Sequence, residues 1–138
     1  MEANHLIYPM AALITLTFAV FLTLPFLRFV AVRSKKVSGK FYRLMQGATE
    51  PDLPAAFSQN YKNLLKTPVL FYAVCLLLIV LNRIDQFFIV LAWIYVGSRV
   101  IHSLVYVSYN HVLHRLAIFS ASCVVLGIMW VRLVIDLG

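Results

Sequence analysis

The stretch NYKNLLKTPVLFY, Asn60 to Tyr72, decides the fold class because it joins a polar segment to the start of an apolar helix. Its first eight residues contain two asparagines, two lysines and a threonine, and Pro68 follows at once. The chain continues as AVCLLLIVL, residues 73–81, which carries no charge. A segment of this kind predicts a membrane-spanning helix. Its polar groups need partners, because lipid supplies none.

Composition extends this reading to the whole chain. Of 138 residues, 62% are hydrophobic and 12% are charged, and the mean hydropathy is +0.88. Water-soluble domains need more polar surface than this. Four apolar stretches are visible, at residues 6–32, 56–81, 87–109 and 112–133. Short connections make the last three spans antiparallel neighbours. We predict an all-α integral membrane four-helix bundle that forms a single domain over residues 1–138.

The distribution of basic residues predicts the orientation. The formal net charge is +7, but the cations lie at span ends and in one loop, which is typical of topology signals and not of a nucleic-acid surface. The loop at residues 33–54 holds five of them: Arg33, Lys35, Lys36, Lys40 and Arg43. The positive-inside rule makes this loop cytoplasmic and both termini non-cytoplasmic. The first span lacks the features of a cleavable leader, so we expect it to remain in the mature protein.

Polar residues of the second span follow a helical spacing. At about 1.5 Å per residue, Asn60, Asn63 and Lys66 lie roughly 5, 9 and 14 Å below the cytoplasmic surface. Asn60, Asn63 and Thr67 share one helix face because they are spaced i, i+3, i+7. Pro68 leaves a carbonyl near Leu64 without its helical donor, so a bend is predicted there.

The third span carries a second polar face. Arg99, His102, Tyr106 and Tyr109 fall at i, i+3, i+7 and i+10, with Arg99 roughly 15 Å below the surface. An arginine at that depth costs about 3 kcal/mol or more unless it is paired or hydrated. Arg28 and Arg115 occupy similar inner depths on the first and fourth spans. Cations without nearby carboxylates predict an anion-binding pocket open to the cytosol.

Each of these residues also fits a plainer role. Asparagines join membrane helices to one another, and lysines such as Lys66 extend toward the headgroups as anchors. Arg115 fits a topology anchor, and Tyr106 and Tyr109 fit an aromatic belt. No metal site is expected, because the histidines have no acidic or cysteine partner nearby in the sequence.

The stretches NYKNLLKTPVLFY and RVIHSLVYVSYNHVLHRLAIF, residues 60–72 and 99–119, resemble the MAPEG family, the membrane-associated proteins in eicosanoid and glutathione metabolism. The likeness is greatest to its bacterial branch. It implies a left-handed four-helix bundle that assembles as a homotrimer, with glutathione between neighbouring subunits in their cytosolic halves. It also implies a bacterial inner-membrane location.

The resemblance also suggests roles for single residues. Asn60 matches the family's helix 2 asparagine, and Arg115 matches the arginine that stabilises the glutathione thiolate. Either Tyr106 or Tyr109 matches a helix 3 tyrosine, and Arg28 resembles a basic residue at the end of helix 1. The family usually has a glutamate on helix 2, whereas the corresponding positions here hold Asn63 and Lys66.

These observations lead to three functional hypotheses. The first is a glutathione-dependent transferase or peroxidase, with glutathione as co-substrate and a lipophilic electrophile arriving from the bilayer. Arg115 would be catalytic, and the other polar residues named above would bind glutathione. The second is a non-catalytic protein that binds an anionic lipid or metabolite. The third is a small transporter, which ranks last because the chain shows neither inverted repeats nor broken helices.

Overall fold

The computed structural model describes residues 2–138 and contains six helices. They are α1 (Asn4–Arg33), α2 (Phe41–Leu44), α3 (Asp52–Leu64), α4 (Thr67–Val80), α5 (Gln86–Val107) and α6 (Val112–Leu137). Four segments are long and apolar enough to cross a membrane: α1, α3 with α4, α5, and α6. The predicted all-α bundle with four spans is confirmed.

The second span consists of two helices separated by a turn at Leu65 and Lys66. Pro68 has no amide hydrogen, so the carbonyl of Leu64 lacks its usual donor. Where a bend was predicted, the helix of the second span is therefore interrupted. Lys66 lies in the turn, with φ −89° and ψ −89°. The expectation of unbroken helices, which counted against a transporter, is wrong for this span.

Span ends differ from the predicted ones by a few residues. Helix α5, the third span, ends at Val107, two residues before the predicted end, so Tyr109 lies outside it. Helix α6, the fourth span, runs to Leu137, four residues further than predicted. These differences move no residue between spans, but they decide which tyrosine faces the interior.

The core lies between α5 and its neighbours. Helix α5 packs against α1, α3 and α6, and α4 packs against α1 and α6. Fully buried side chains from several helices meet there, including Leu13, Phe71, Phe88, Tyr95 and Met129. Many large apolar side chains on the outer faces of the helices are exposed, among them Phe18, Phe26, Leu104 and Val131. Such a surface is suited to contact with lipid.

The turn NRIDQ, residues 82–86, ends one helix and starts the next. Asn82 adopts φ +53°, and the amide of Arg83 donates to the carbonyl of Leu78 at 3.0 Å, which closes the end of α4 as a Schellman motif. The Asp85 carboxylate then accepts the amide of Phe88 at 2.9 Å and caps α5. Arg132 of α6 pairs with the same carboxylate at 2.6 Å. The turn therefore fixes α4, α5 and α6 together at this end.

Candidate anion-binding site

The polar half of the second span faces α5. Three of its residues, in order along the chain, hydrogen-bond to that helix: Asn60, Asn63 and Thr67. The hydroxyl of Ser103 donates to Asn60 Oδ1 at 3.0 Å. The hydroxyl of Tyr95 donates to Thr67 Oγ1 at 3.2 Å. Asn60 and Thr67 take part through their side chains and Asn63 through its backbone carbonyl. These pairings explain how the polar groups can enter a membrane.

Arg99 makes the third contact. Its side chain is fully buried, and Nη2 donates to the carbonyl of Asn63 at 3.3 Å. That carbonyl belongs to the last turn of α3, where orphan acceptors and the helix dipole both favour a cation. Nε and Nη1 of Arg99 have no hydrogen-bond partner within residues 2–138. The guanidinium also lies 5.7 Å from the ring centroid of Phe119.

A cavity of about 230 Å³ opens between α3, α5 and α6 beside this arginine. Its lining residues are Asn63, His102, Tyr106, Val112, Arg115, Leu116 and Phe119. Four of them were singled out from the sequence, namely Asn63, His102, Tyr106 and Arg115. The structure therefore brings the predicted catalytic residue and three of the eight predicted glutathione-binding residues to one place. Arg99 adjoins the cavity through Asn63 and Phe119.

Arg115 lies near the N-terminus of α6. It is the fourth residue of the helix and is half-buried, so the positive end of the helix dipole adds to its charge. Its guanidinium carbon lies 4.1 Å from the centroid of the Tyr106 ring, and it donates a hydrogen bond to Asn110 Oδ1. No carboxylate pairs with Arg115 in the described part of the chain. The guanidinium is held by neutral groups and keeps its charge available.

The two candidate tyrosines of the third span have different environments. Tyr106 is buried and lines the cavity. Tyr109 is 61% exposed, and its hydroxyl lies 3.0 Å from Nδ1 of His114. Between the two, only Tyr106 is positioned beside Arg115.

His102 forms part of the cavity wall on α5. It is almost fully buried, and its Nδ1 has no hydrogen-bond partner among residues 2–138. Its ring centroid lies 5.6 Å from that of Tyr106 and 6.1 Å from that of Phe119. A buried imidazole nitrogen without a partner is suited to receive a hydrogen bond from, or donate one to, a bound molecule.

Arg28 lies apart from this cavity. Its Nε is 3.0 Å from the carboxylate of Glu50, its Nη2 is 3.4 Å from the hydroxyl of Ser58, and its guanidinium carbon is 5.2 Å from the centroid of the Tyr42 ring. Burial, followed by the nearby Glu50 carboxylate, raises the pKa of Tyr42 above its usual value. This cluster joins the first loop to the end of α1 and to α3.

Asn60 and Lys66 also lie outside the cavity. Asn60 is fully buried against Ser103 of α5. Lys66 is exposed at the interruption between α3 and α4.

The sequence reading missed Phe119 and Glu50. Phe119 stands four residues after Arg115, on the same face of α6, so helical spacing could have found it. Glu50 is in an irregular loop, where no periodicity indicates which residue it approaches.

The four apolar spans define a multi-pass membrane protein. The MAPEG family model matches residues 6–135, so the chain belongs to the MAPEG family. The comparisons with curated proteins and with solved structures returned no match.

Proposed function

We propose that this protein is a glutathione-dependent transferase or peroxidase that acts on lipophilic electrophiles. One observation carries the proposal. Arg99 is fully buried in a membrane span, two of its guanidinium nitrogens are unpartnered in residues 2–138, and it lies next to Asn63 and Phe119 of the cavity that Arg115 lines. MAPEG membership supports glutathione as the molecule that occupies the cavity.

Charge balance supports an anionic ligand. The ion pairs found in residues 2–138 involve Arg28 and Arg132, and none involves Arg99 or Arg115. A buried cation is unfavourable until an opposite charge joins it. Glutathione carries two carboxylates and an ionisable thiol, so it can satisfy both arginines. A carboxylate would bind Arg99, and the thiolate sulfur would face Arg115. Asn63, His102 and Tyr106 would supply hydrogen bonds.

The chemistry follows from a thiolate held beside a lipid-facing surface. In the transferase reaction, the sulfur attacks an electrophilic carbon, and the leaving group departs with the bonding pair, or a proton completes an addition. In the peroxidase reaction, the sulfur takes the terminal oxygen of a lipid hydroperoxide to give an alcohol and a sulfenic acid. A second glutathione then forms the disulfide and releases water. The protein contributes proximity and a lowered thiol pKa.

Cavity size supports a site shared with a neighbouring subunit, and MAPEG membership suggests a homotrimer. The volume of about 230 Å³ is below the roughly 300–1,000 Å³ usual for small-molecule pockets. One chain can therefore hold part of a tripeptide, and a neighbouring subunit would enclose the rest. Arg28 would reach the ligand only from such a neighbour, because it lies outside the cavity of its own chain.

The mass of the protein in mild detergent tests this assembly. We expect three copies per particle, by native mass spectrometry or by light scattering corrected for detergent. A monomer that binds glutathione as tightly as the membrane-embedded protein would rule out a shared site.

We propose that the first loop is cytoplasmic, in a bacterial inner membrane. Its basic residues are all exposed, where they can act as topology signals: Arg33, Lys35, Lys36, Lys40 and Arg43. Single cysteines introduced at Lys36 and at Asn82 should react with an impermeant thiol reagent from opposite sides, with the Lys36 position reacting only in inverted vesicles. Reaction of both from the same side would contradict this topology.

The function itself is tested by binding and turnover measured together. Glutathione is titrated into the detergent-solubilised protein in a calorimeter, and conjugation to chlorodinitrobenzene is followed in the same preparation. Heat of binding with turnover supports the proposal. The absence of both contradicts it.

A second candidate is a non-catalytic protein that binds an anionic lipid or metabolite. It is favoured by Asn63 and Lys66, which stand where the family usually has a glutamate that can meet the glutathione amino group. In this case phosphate or carboxylate ligands would bind in the Arg99–Arg115 region. Binding of an anionic metabolite or lipid in the cavity, by a protein that shows no conjugation activity, would distinguish this candidate.

A further inference from the structure

The cavity between α3, α5 and α6, which we call the basic cavity, presents positive charge and hydrogen-bond donors to a ligand. Arg115 lines it, and Arg99 adjoins it with Nε and Nη1 unpartnered in residues 2–138. None of the lining residues carries a carboxylate. The two guanidinium groups therefore suit a ligand with separate negative groups, because each can bind one of them.

Acidic residues are few in the chain, and two of them lie near the start of α3. Asp52 is the first residue of that helix. At about 1.5 Å per residue, it lies roughly 16 Å along the helix from Asn63 of the basic cavity. Glu50 precedes the helix, and its carboxylate pairs with Arg28 at 3.0 Å. Neither carboxylate lines the cavity.

The other three acidic residues lie at the opposite end of the bundle. Asp85 and Asp136 both pair with Arg132, at 2.6 and 3.5 Å, and Glu2 precedes the start of α1. The sequence contains five acidic residues in all, so a neighbouring copy of this chain would bring only the same five. The chain therefore offers the basic cavity no carboxylate from inside a span.

Carbonyl groups at the end of α3 are the neutral acceptors that a positively charged ligand group would meet. The Asn63 carbonyl already accepts a hydrogen bond from Arg99 at 3.3 Å. The carbonyls of Tyr61 and Lys62 accept the amide of Leu65 at 3.2 and 3.3 Å. An ammonium group would compete with these donors, and it would have no counter-charge beside two guanidinium groups.

We infer that the basic cavity binds an anionic thiol that has carboxylates but no ammonium group more tightly than it binds glutathione. This inference rests on the proposed function, and it narrows the class of thiol that the site uses. Glutathione carries one ammonium group besides its two carboxylates, and like charges repel one another strongly where water is scarce. A thiol without that group keeps its contacts with Arg99 and Arg115 and avoids burying an unpaired cation.

The comparison of glutathione with its deamino analogue, glutaryl-cysteinylglycine, tests this inference. The analogue has hydrogen in place of the ammonium group and keeps the thiol and both carboxylates. In calorimetry on the full-length protein in detergent, we expect the analogue to bind about tenfold more tightly. Equal or tighter binding of glutathione overturns this inference and leaves the proposed function in place. Binding of neither thiol contradicts the proposed function, and the inference falls with it.

A charge introduced into the cavity wall should reverse the preference between the two thiols. Asn63→Glu supplies a counter-charge for the ammonium group, so this variant should bind glutathione more tightly than the analogue. Gln86→Glu adds the same charge at the exposed first residue of α5, far from the cavity, and should keep the wild-type preference. An unchanged preference in folded Asn63→Glu overturns the inference. If this variant does not fold, the wild-type comparison decides alone.

Discussion

Replacing Arg115 by leucine is expected to slow conjugation at neutral pH by about one to two decades. A hydrogen-bonded contact between a guanidinium and a thiolate is worth roughly 1.5–3 kcal/mol, which corresponds to this change in rate. The position of Arg115 in the first turn of α6, over the ring of Tyr106, directs its charge into the cavity. Affinity for glutathione should fall much less, because the contact is strongest with the ionised sulfur.

Titration of the bound glutathione thiol shows whether Arg115 stabilises the thiolate or only supports the structure. Ultraviolet absorbance of the thiolate should show a higher apparent pKa of glutathione in Arg115→Leu than in the wild-type protein. Arg115→Lys should recover part of the effect, since charge is kept while the planar guanidinium is lost. If neither the titration nor the rate changes in Arg115→Leu, the residue is a topology anchor and the catalytic assignment is wrong.

Replacing Arg99 by methionine is expected to weaken glutathione binding by about a hundredfold or more. Two free guanidinium nitrogens can each donate to a carboxylate, and a hydrogen bond to a charged group contributes roughly 1.5–3 kcal/mol. The bundle itself should lose little stability, because a buried cation without a counter-charge is replaced by an apolar side chain of similar length. Calorimetry measures the affinity, and thermal unfolding in detergent measures the stability.

Arg83→Met provides the matched control for this prediction. Arg83 is exposed in the turn between α4 and α5, at the other end of the bundle from the cavity. Arg83→Met should change neither the affinity for glutathione nor the thermal stability of the protein. A contrary result for Arg99→Met would be a large loss of stability with unchanged affinity. Arg99 would then serve only to support the Asn63 carbonyl at the end of α3.

The sequence by itself determined the class of protein and the faces of its helices. Apolar length specified four spans, because a bilayer of fixed thickness requires about 20 apolar residues per helix. The i, i+3, i+7 spacing predicted that Asn60, Asn63 and Thr67 lie toward one neighbouring helix, and all three residues hydrogen-bond to α5, Asn63 through its backbone carbonyl. Pro68 marked the interruption of the second span. All these features are local, and helix periodicity or a single missing donor is sufficient to predict them.

Only the tertiary structure decided how the polar residues divide between sites. It placed Asn63 at the basic cavity and Asn60 against Ser103 of α5, although the two lie within one turn of the same helix. It also paired Arg28 with Glu50, which is 22 residues away in the chain. The end of α5 at Val107 left Tyr106 as the tyrosine beside Arg115. The physical reason is that a helical spacing fixes the angle between side chains, whereas the neighbour that each one meets depends on how helices distant in sequence pack together.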